Sequence, residues 1–242
     1  MQTWYLRAMD TAAKVALGVA AGTVGLLGIA YFTSRSRSLK GGVETSVPKP
    51  KANKVSKAPG GQTVKVYSDK KLPIKERLAI IQDLIAKGTS GPDLPAMRKL
   101  ALQITSKCVA RDDRCESEAI YDWVRKNIRY TGDIAPHKVG GRNGKEESVD
   151  LFQTAKQTVD FGGGDCDDHS TLVATLMILN GIQTRLRVTS PYKWTKEAFT
   201  HIYPVIGLPK NDPKKWIGVD TTLPGNYYGK EWPYAQHLDV MA

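Results

Sequence analysis

The stretch FGGGDCDDHS, residues 161–170, holds the side chains of this chain best arranged for chemistry. Gly162, Gly163 and Gly164 permit a tight backbone turn directly ahead of a helix. Cys166 then falls in the first helical turn, where unpaired N–H groups and the macrodipole favour a thiolate over a thiol. A cysteine nucleophile also needs a base within reach and a group that orients the base. His201, in the strand-like FTHIY, and Asp220, in WIGVDTT, are polar positions within apolar stretches. On adjacent antiparallel strands Asp220 would fix the tautomer of His201, and His201 would face Cys166. The run DCDDH also contains metal-ligand types, but adjacent residues at a helix start point in different directions and converge poorly on one ion. No metal and no cofactor is expected. His169 reads as a surface side chain, not a second base, and His137 and His237 lie in polar surroundings without a signal.

The elements that would position these residues follow from periodicity. After Pro73, Leu78, Ile81, Leu84 and Ile85 share one helical face and Gly88 makes a stop. Pro95 opens a second helix with Met97, Leu100, Ala101, Ile104 and Cys108 on one stripe. A third begins at DDRCESE, with Asp113 and Glu116 in capping-box spacing and Ile120, Trp123, Val124 and Ile128 on a 3.6 period. A fourth runs from Cys166 to Asn180 and ends at Gly181. The polar, glycine-rich residues 138–147 read as a loop. The period then changes to two: QTRLRVTS alternates Thr184, Leu186 and Val188 with Arg185 and Arg187, while AFTHIYPVI and KKWIGVDTT are also strand-like. Pro204 should place its strand at an edge or at a bulge. Helices first and an antiparallel sheet later describe an α+β domain.

Over residues 116–222 the sequence resembles the transglutaminase-like (transglutaminase-core) branch of the papain-like cysteine enzymes. The resemblance rests on IYDWVRKNIRYTGD, then GDCDDHSTLVATLMILNGIQTRLRV, then a His on a strand, then KKWIGVDTT. It implies a papain-like domain of helices packed on an antiparallel sheet, with Cys166 as nucleophile, His201 as base and Asp220 as orienter. Asp168 matches a carboxylate of the motif and takes a structural role. Ile202-Tyr203-Pro204 follows the His where the family often has a large residue such as Trp. No oxyanion-hole side chain is assigned; Gln153 and Gln157 lie upstream, and the backbone N–H of Cys166 is the one donor expected. The order of Cys, His and Asp weighs against Cys166 being merely a small buried hydrophobe. DLFQTAKQTVDFGGGDCDDH is also similar to transglutaminase-like domains of bacteriophage-encoded proteins, which points to a virion or host-entry context.

The net charge of +11 over 242 residues suggests an acidic partner, but its location qualifies that. Residues 33–75 carry 11 basic and 2 acidic side chains, whereas residues 76–242 are nearly balanced, with 22 basic and 21 acidic. The excess sits in a stretch rich in Lys, Ser, Pro and Gly that reads as a solvated tether. Just before it, residues 15–32 carry no charge, a length close to the roughly 20 residues needed to span a bilayer. Three parts are expected: an N-terminal membrane anchor over 1–33, a basic flexible linker over 34–72 and the transglutaminase-like domain over 73–242. The lipid bilayer is then a partner through residues 12–32, and the protein is single-pass in a cellular inner membrane or a virion membrane. The basic flank favours a cytoplasmic C-terminal domain. The linker is a candidate for contact with anionic lipid or nucleic acid, and Gly18-x-x-x-Gly22 for a homo-oligomer in the membrane. Cys108 and Cys115 are expected as free thiols, with a small-loop disulfide as the oxidising-compartment alternative.

The expected activity is attack by Cys166 on an amide or peptide bond of a protein or peptide substrate through a thioester, with hydrolysis favoured over transfer. The alternative is a non-enzymatic structural or interaction protein, such as a membrane-associated phage virion component, in which the triad is a relic.

Overall fold

In the computed structural model the described part of the chain lies within one unit, Val47–Ala242. The structure describes residues 54–57, 63–67, 73–131, 139–140, 146–147, 150–191 and 200–242. The expected anchor lies outside the described residues, and among these no helix is long and apolar enough to cross a membrane. The stretch read as linker contains two strands, β1 (Lys54–Lys57) and β2 (Thr63–Tyr67), which pair antiparallel. β2 continues the sheet onto β6 (Asp150–Leu151), Val66 opposite Leu151, while β4 (Val139–Gly140) and β5 (Glu146–Glu147) pair with each other. The Val–Lys alternation in TVKVY suits a strand, and charge alone masked it.

Three long helices precede the site. α1 (Ile74–Thr89) buries Leu78, Ile80, Ile81, Leu84 and Ile85, as its period requires. α2 (Leu94–Thr105) buries Met97 and Ala101. α3 (Asp113–Asn127) buries Ile120, Tyr121 and Val124. Its cap is Asp112, not Asp113: the Asp112 carboxylate accepts from Cys115 N–H at 2.9 Å. Asp113 instead accepts from the backbone N–H of Lys210 at 2.8 Å, while the Lys210 ammonium reaches Glu116 at 3.0 Å. A short helix, α4 (Ala155–Phe161), was not foreseen; Thr154 and Gln157 form its capping box.

All of these pack around α5 (Cys166–Leu179), whose residues from Asp167 to Met177 are buried on every side. Leu172, Leu176 and Met177 join Ile120, Val124 and Ala101 in one cluster; Ala174 joins Ile81, Ile85, Leu186 and Ile202 in another. A helix buried all round has no polar stripe to expose, which explains the unbroken run LVATLMIL. Gly88 of α1 marks the closest approach, since a Cβ there would lie 2.6 Å from the Thr175 methyl.

The sheet has the order β10–β9–β8–β11, formed by β8 (Gln183–Ser190), β9 (His201–Leu208), β10 (Lys215–Gly218) and β11 (Gln236–Met241). β9 is interior, so Pro204 does not confine it to an edge. The β9–β10 ladder stops at Val205 opposite Gly218, one residue before the proline. Beyond that point Pro204 only has to accept, and its carbonyl takes the Val219 N–H at 2.9 Å. Between β8 and β11, Arg187 and Asp239 face each other and form a two-pronged pair at 2.8 Å and 2.8 Å, extended by Glu231 at 2.7 Å.

Cys108 and Cys115 form a disulfide across the α2–α3 turn, Cα atoms 5.7 Å apart, where free thiols were expected. The Asp112 cap turns the chain back and brings the two cysteines face to face. With a separation of seven residues, loop-closure entropy assigns the bridge about 2 kcal/mol. Urea unfolding of oxidised chain and of Cys108→Ser/Cys115→Ser should differ by about that amount.

Candidate active site

The site is assembled at the first turn of α5 by three strained or close-packed glycines. Gly162 has φ +67° and closes α4 in the left-handed region. Gly163 and Gly164 form β7, which runs parallel to β3 (Arg129–Tyr130), Tyr130 opposite Gly164. A Cβ on Gly163 would lie 3.0 Å from the Arg129 carbonyl, and one on Gly164 only 2.5 Å from Asp168 Cβ. The glycines therefore serve close approach as well as the turn.

The carboxylates on either side of Cys166 each have a partner. Asp165 caps α5 and accepts from the N–H groups of Asp167 and Asp168 at 3.0 Å and 3.3 Å. Asp168, three residues on, returns the bond to Asp165 N–H at 3.3 Å. It also accepts from the Gln153 backbone N–H at 2.8 Å and its amide at 2.6 Å. Burial and the Asp165 charge push the Asp168 carboxyl well up, while the Gln153 N–H opposes them. Asp168 is thus held by Gln153 and by the Asp165 backbone. Gln157 belongs to the α4 cap. Asp167 pairs with Arg77 of α1.

Cys166 stands at the first position of α5, half-buried, and packs against the cluster of Leu78, Ile81 and Ile202. Its thiol is not held as a thiolate by the helix terminus. Burial first, then the charges of Asp167 and Asp165, push it well above an ordinary cysteine. A backbone hydrogen bond from Ile202 and the charge of Arg77 pull the other way without prevailing. Ile202, which follows His201 on β9, belongs to the cluster that Cys166 packs against. The Cys166 Sγ also lies 3.9 Å from Asp167 Oδ1.

His201 opens β9 and Asp220 lies just past β10, an adjacent strand. Their contact is His201 Nε2 to Asp220 Oδ2 at 2.8 Å. Asp220 is buried, and its other oxygen accepts from Thr222 N–H at 3.0 Å and Thr222 Oγ1 at 2.6 Å. Burial works to raise this carboxyl, but the His201 and Thr222 bonds outweigh it and hold it below the usual carboxylate range. Asn226 donates to the Asp220 carbonyl at 2.9 Å, which fixes the loop itself. Tyr203, two residues after His201 on the same strand face, sets its ring 5.7 Å from the imidazole. Its hydroxyl donates to Glu231 at 2.9 Å.

Two residues depart from expectation. His169 is not on the surface; it is 1% exposed, with Nδ1 2.9 Å from Thr221 Oγ1 and Nε2 3.4 Å from the Arg129 carbonyl. It ties β3 and the Asp220 loop to α5. Tyr130, not singled out by sequence, is half exposed, 6.1 Å from the His169 ring. Burial, then the charge of a Cys166 thiolate, raises its phenol. The Asp165-x-x-Asp168 spacing is a capping-box signal that would have revealed the pairing at the helix start.

Burial lowers the pKa of His169, so the unfolded chain, with histidine near about 6.5, binds its proton first. Stability from the neutral imidazole is therefore complete above about pH 6.5 and falls as the pH drops below it. His169→Asn, which keeps a polar group near Thr221, should remove that component. The stability difference between the two proteins should shift against the native chain from pH 7 to pH 5, as read by urea unfolding at each pH.

A family model for the Transglutaminase-like superfamily matches residues 98–221, just over half of the chain. No curated protein matches. Among solved structures, a candidate protease from Parabacteroides distasonis is 13% identical at a TM-score of 0.42, covering 60% of this chain and 26% of its own. A candidate cysteine protease from Cytophaga hutchinsonii is 20% identical at 0.36, with 66% and 50% covered. Calcium-bound LapG from Legionella pneumophila is 15% identical at 0.27, with 62% and 66% covered. The chain thus spans a quarter of the first and half of the second, and the assignment rests on the family match. By that match, the chain belongs to the transglutaminase-like superfamily.

Proposed function

We propose that this chain is a membrane-anchored cysteine peptidase or amidase that works through a Cys166 thioester. The 2.8 Å contact between His201 Nε2 and Asp220 Oδ2 carries the reading. A carboxylate only accepts, so Nε2 holds the proton and the imidazole lone pair lies on Nδ1. Nδ1 is then the atom that takes the proton from Cys166 Sγ.

The sulfur forms a bond to the amide carbonyl carbon as its proton passes to Nδ1. The oxyanion that develops is met by the Cys166 N–H, a helix-start donor with no intrahelical acceptor. Collapse breaks the C–N bond, and the leaving amine departs with the proton from Nδ1. Water then gives a proton to Nδ1 and adds to the thioester carbon; the acid leaves and the thiol is re-formed. Cys166 and His201 are both partly exposed, which supports water as the acceptor.

Anchoring is supported by the uncharged residues 15–32 and the basic flank behind them. The Cys108–Cys115 disulfide supports an oxidising compartment for the domain. It opposes the cytoplasmic orientation that the basic flank favours, and of the two we take the disulfide. The alternative reading is a non-enzymatic protein in which the same triad is a relic.

Amide hydrolysis by the full chain on a protein-derived peptide library, with products identified by mass spectrometry, separates the two. Cys166→Ala should abolish cleavage, and His201→Ala should lower it by about 10²–10⁴-fold. Products equal in amount from all three proteins, or from none, would support the relic. In a membrane preparation the full chain should resist alkaline extraction and a chain lacking residues 1–33 should not.

A further inference from the structure

Arg77 lies on α1, ahead of the segment that matches the family. It pairs with Asp167, the residue after the nucleophile, and its guanidinium sits 5.3 Å from the centre of the Phe152 ring. Phe152 is buried and directly precedes Gln153, which holds Asp168. Asp167 itself is 3% exposed. A carboxylate so placed needs a counter-charge, and without one it turns its full field on the nearest titratable group. That group is Cys166, whose sulfur is 3.9 Å from Asp167 Oδ1.

We propose that Arg77 is a positioning residue for the Cys166 nucleophile: by holding and neutralising Asp167, it limits how firmly that carboxylate keeps the proton on the thiol and leaves the proton for His201 to take. The inference rests on the reading of Cys166 as nucleophile. The groups whose charge or hydrogen bonding acts on the sulfur are Asp165 and Asp167 on its own turn, Arg77 from α1, Tyr130 from β3 and the Ile202 backbone from β9; in the proposed mechanism His201, held by Asp220, joins them. Among these Arg77 is the permanent positive charge, and it acts from a helix that precedes the family segment. The planar fork meets the carboxylate while its face lies on Phe152, an arrangement a lysine cannot reproduce.

The test is the pH profile of iodoacetamide alkylation at Cys166 in the full chain, followed by mass spectrometry of the Cys166 peptide. Arg77→Gln should move the midpoint upward by about one unit, so that the rate at pH 7 falls about tenfold. Arg77→Lys should recover part of the shift. Asp167→Asn should move the midpoint down, and Arg77→Gln/Asp167→Asn should return it to the native value or below. A merely structural role would leave the double variant as impaired as Arg77→Gln, and that result overturns the proposal. If Arg77→Gln does not fold, an unmoved midpoint in Asp167→Asn overturns it equally. His201→Ala distinguishes the two levels: a profile unchanged there defeats the nucleophile reading. A profile changed there but unmoved in Arg77→Gln defeats the Arg77 inference alone.

Discussion

The rest of the site depends on one constraint: the N-terminus of α5 is buried while carrying three carboxylates, a thiol and an imidazole. No such turn survives unpaired, because a buried charge without a partner costs several kcal/mol. Each polar side chain is accordingly answered from a different element. Asp165 takes backbone N–H groups of its own helix, Asp168 takes Gln153, Asp167 takes Arg77 of α1, and His169 takes Thr221 and Arg129. The glycines before the turn allow β3 and Asp168 to come this close. With these partners fixed, Cys166 packs against the cluster that includes Leu78 and Ile81 of α1 and Ile202 of β9.

The same pairing decides the state of the nucleophile. A helix terminus offers roughly half a positive charge, whereas Asp165 and Asp167 place two carboxylates beside the sulfur. Burial adds to their effect. The thiol therefore stays protonated at rest, and in the proposed mechanism its proton passes to His201 at the moment of attack. The His201–Asp220 pair is the part of the site suited to that transfer. Thr222 and Asn226 hold Asp220 on its loop, and Tyr203 packs against the imidazole from the same strand.

Much of this was legible in sequence where a residue's role follows from local spacing. The α1 stripe, the alternation of β8, the helix start at Cys166 and the contact of His201 with Asp220 all appear where local spacing predicts them. The failures share a cause: long-range pairing overrode a local signal. His169 looked like a surface histidine because its partners, Thr221 and Arg129, are 52 and 40 residues away. Pro204 looked like an edge marker because nothing local shows that the β10 ladder ends one residue short of it. Cys166 looked like a thiolate because the macrodipole is a local effect, whereas its burial belongs to the packing of α1 and β9. Tyr130 needed the parallel β3–β7 contact, two residues long, which no periodicity reveals.

The central claim is that Cys166 rests as a thiol and depends on His201 for its activation. Thiolate absorbance near 240 nm reads the resting state directly, as the difference between native full chain and Cys166→Ser across pH 5 to 10. The disulfide of Cys108 and Cys115 does not titrate, so the difference reports Cys166 alone. The account predicts no thiolate signal at pH 7 and a midpoint above that of an ordinary cysteine, about 8.5. A thiolate already formed at pH 6 would contradict it.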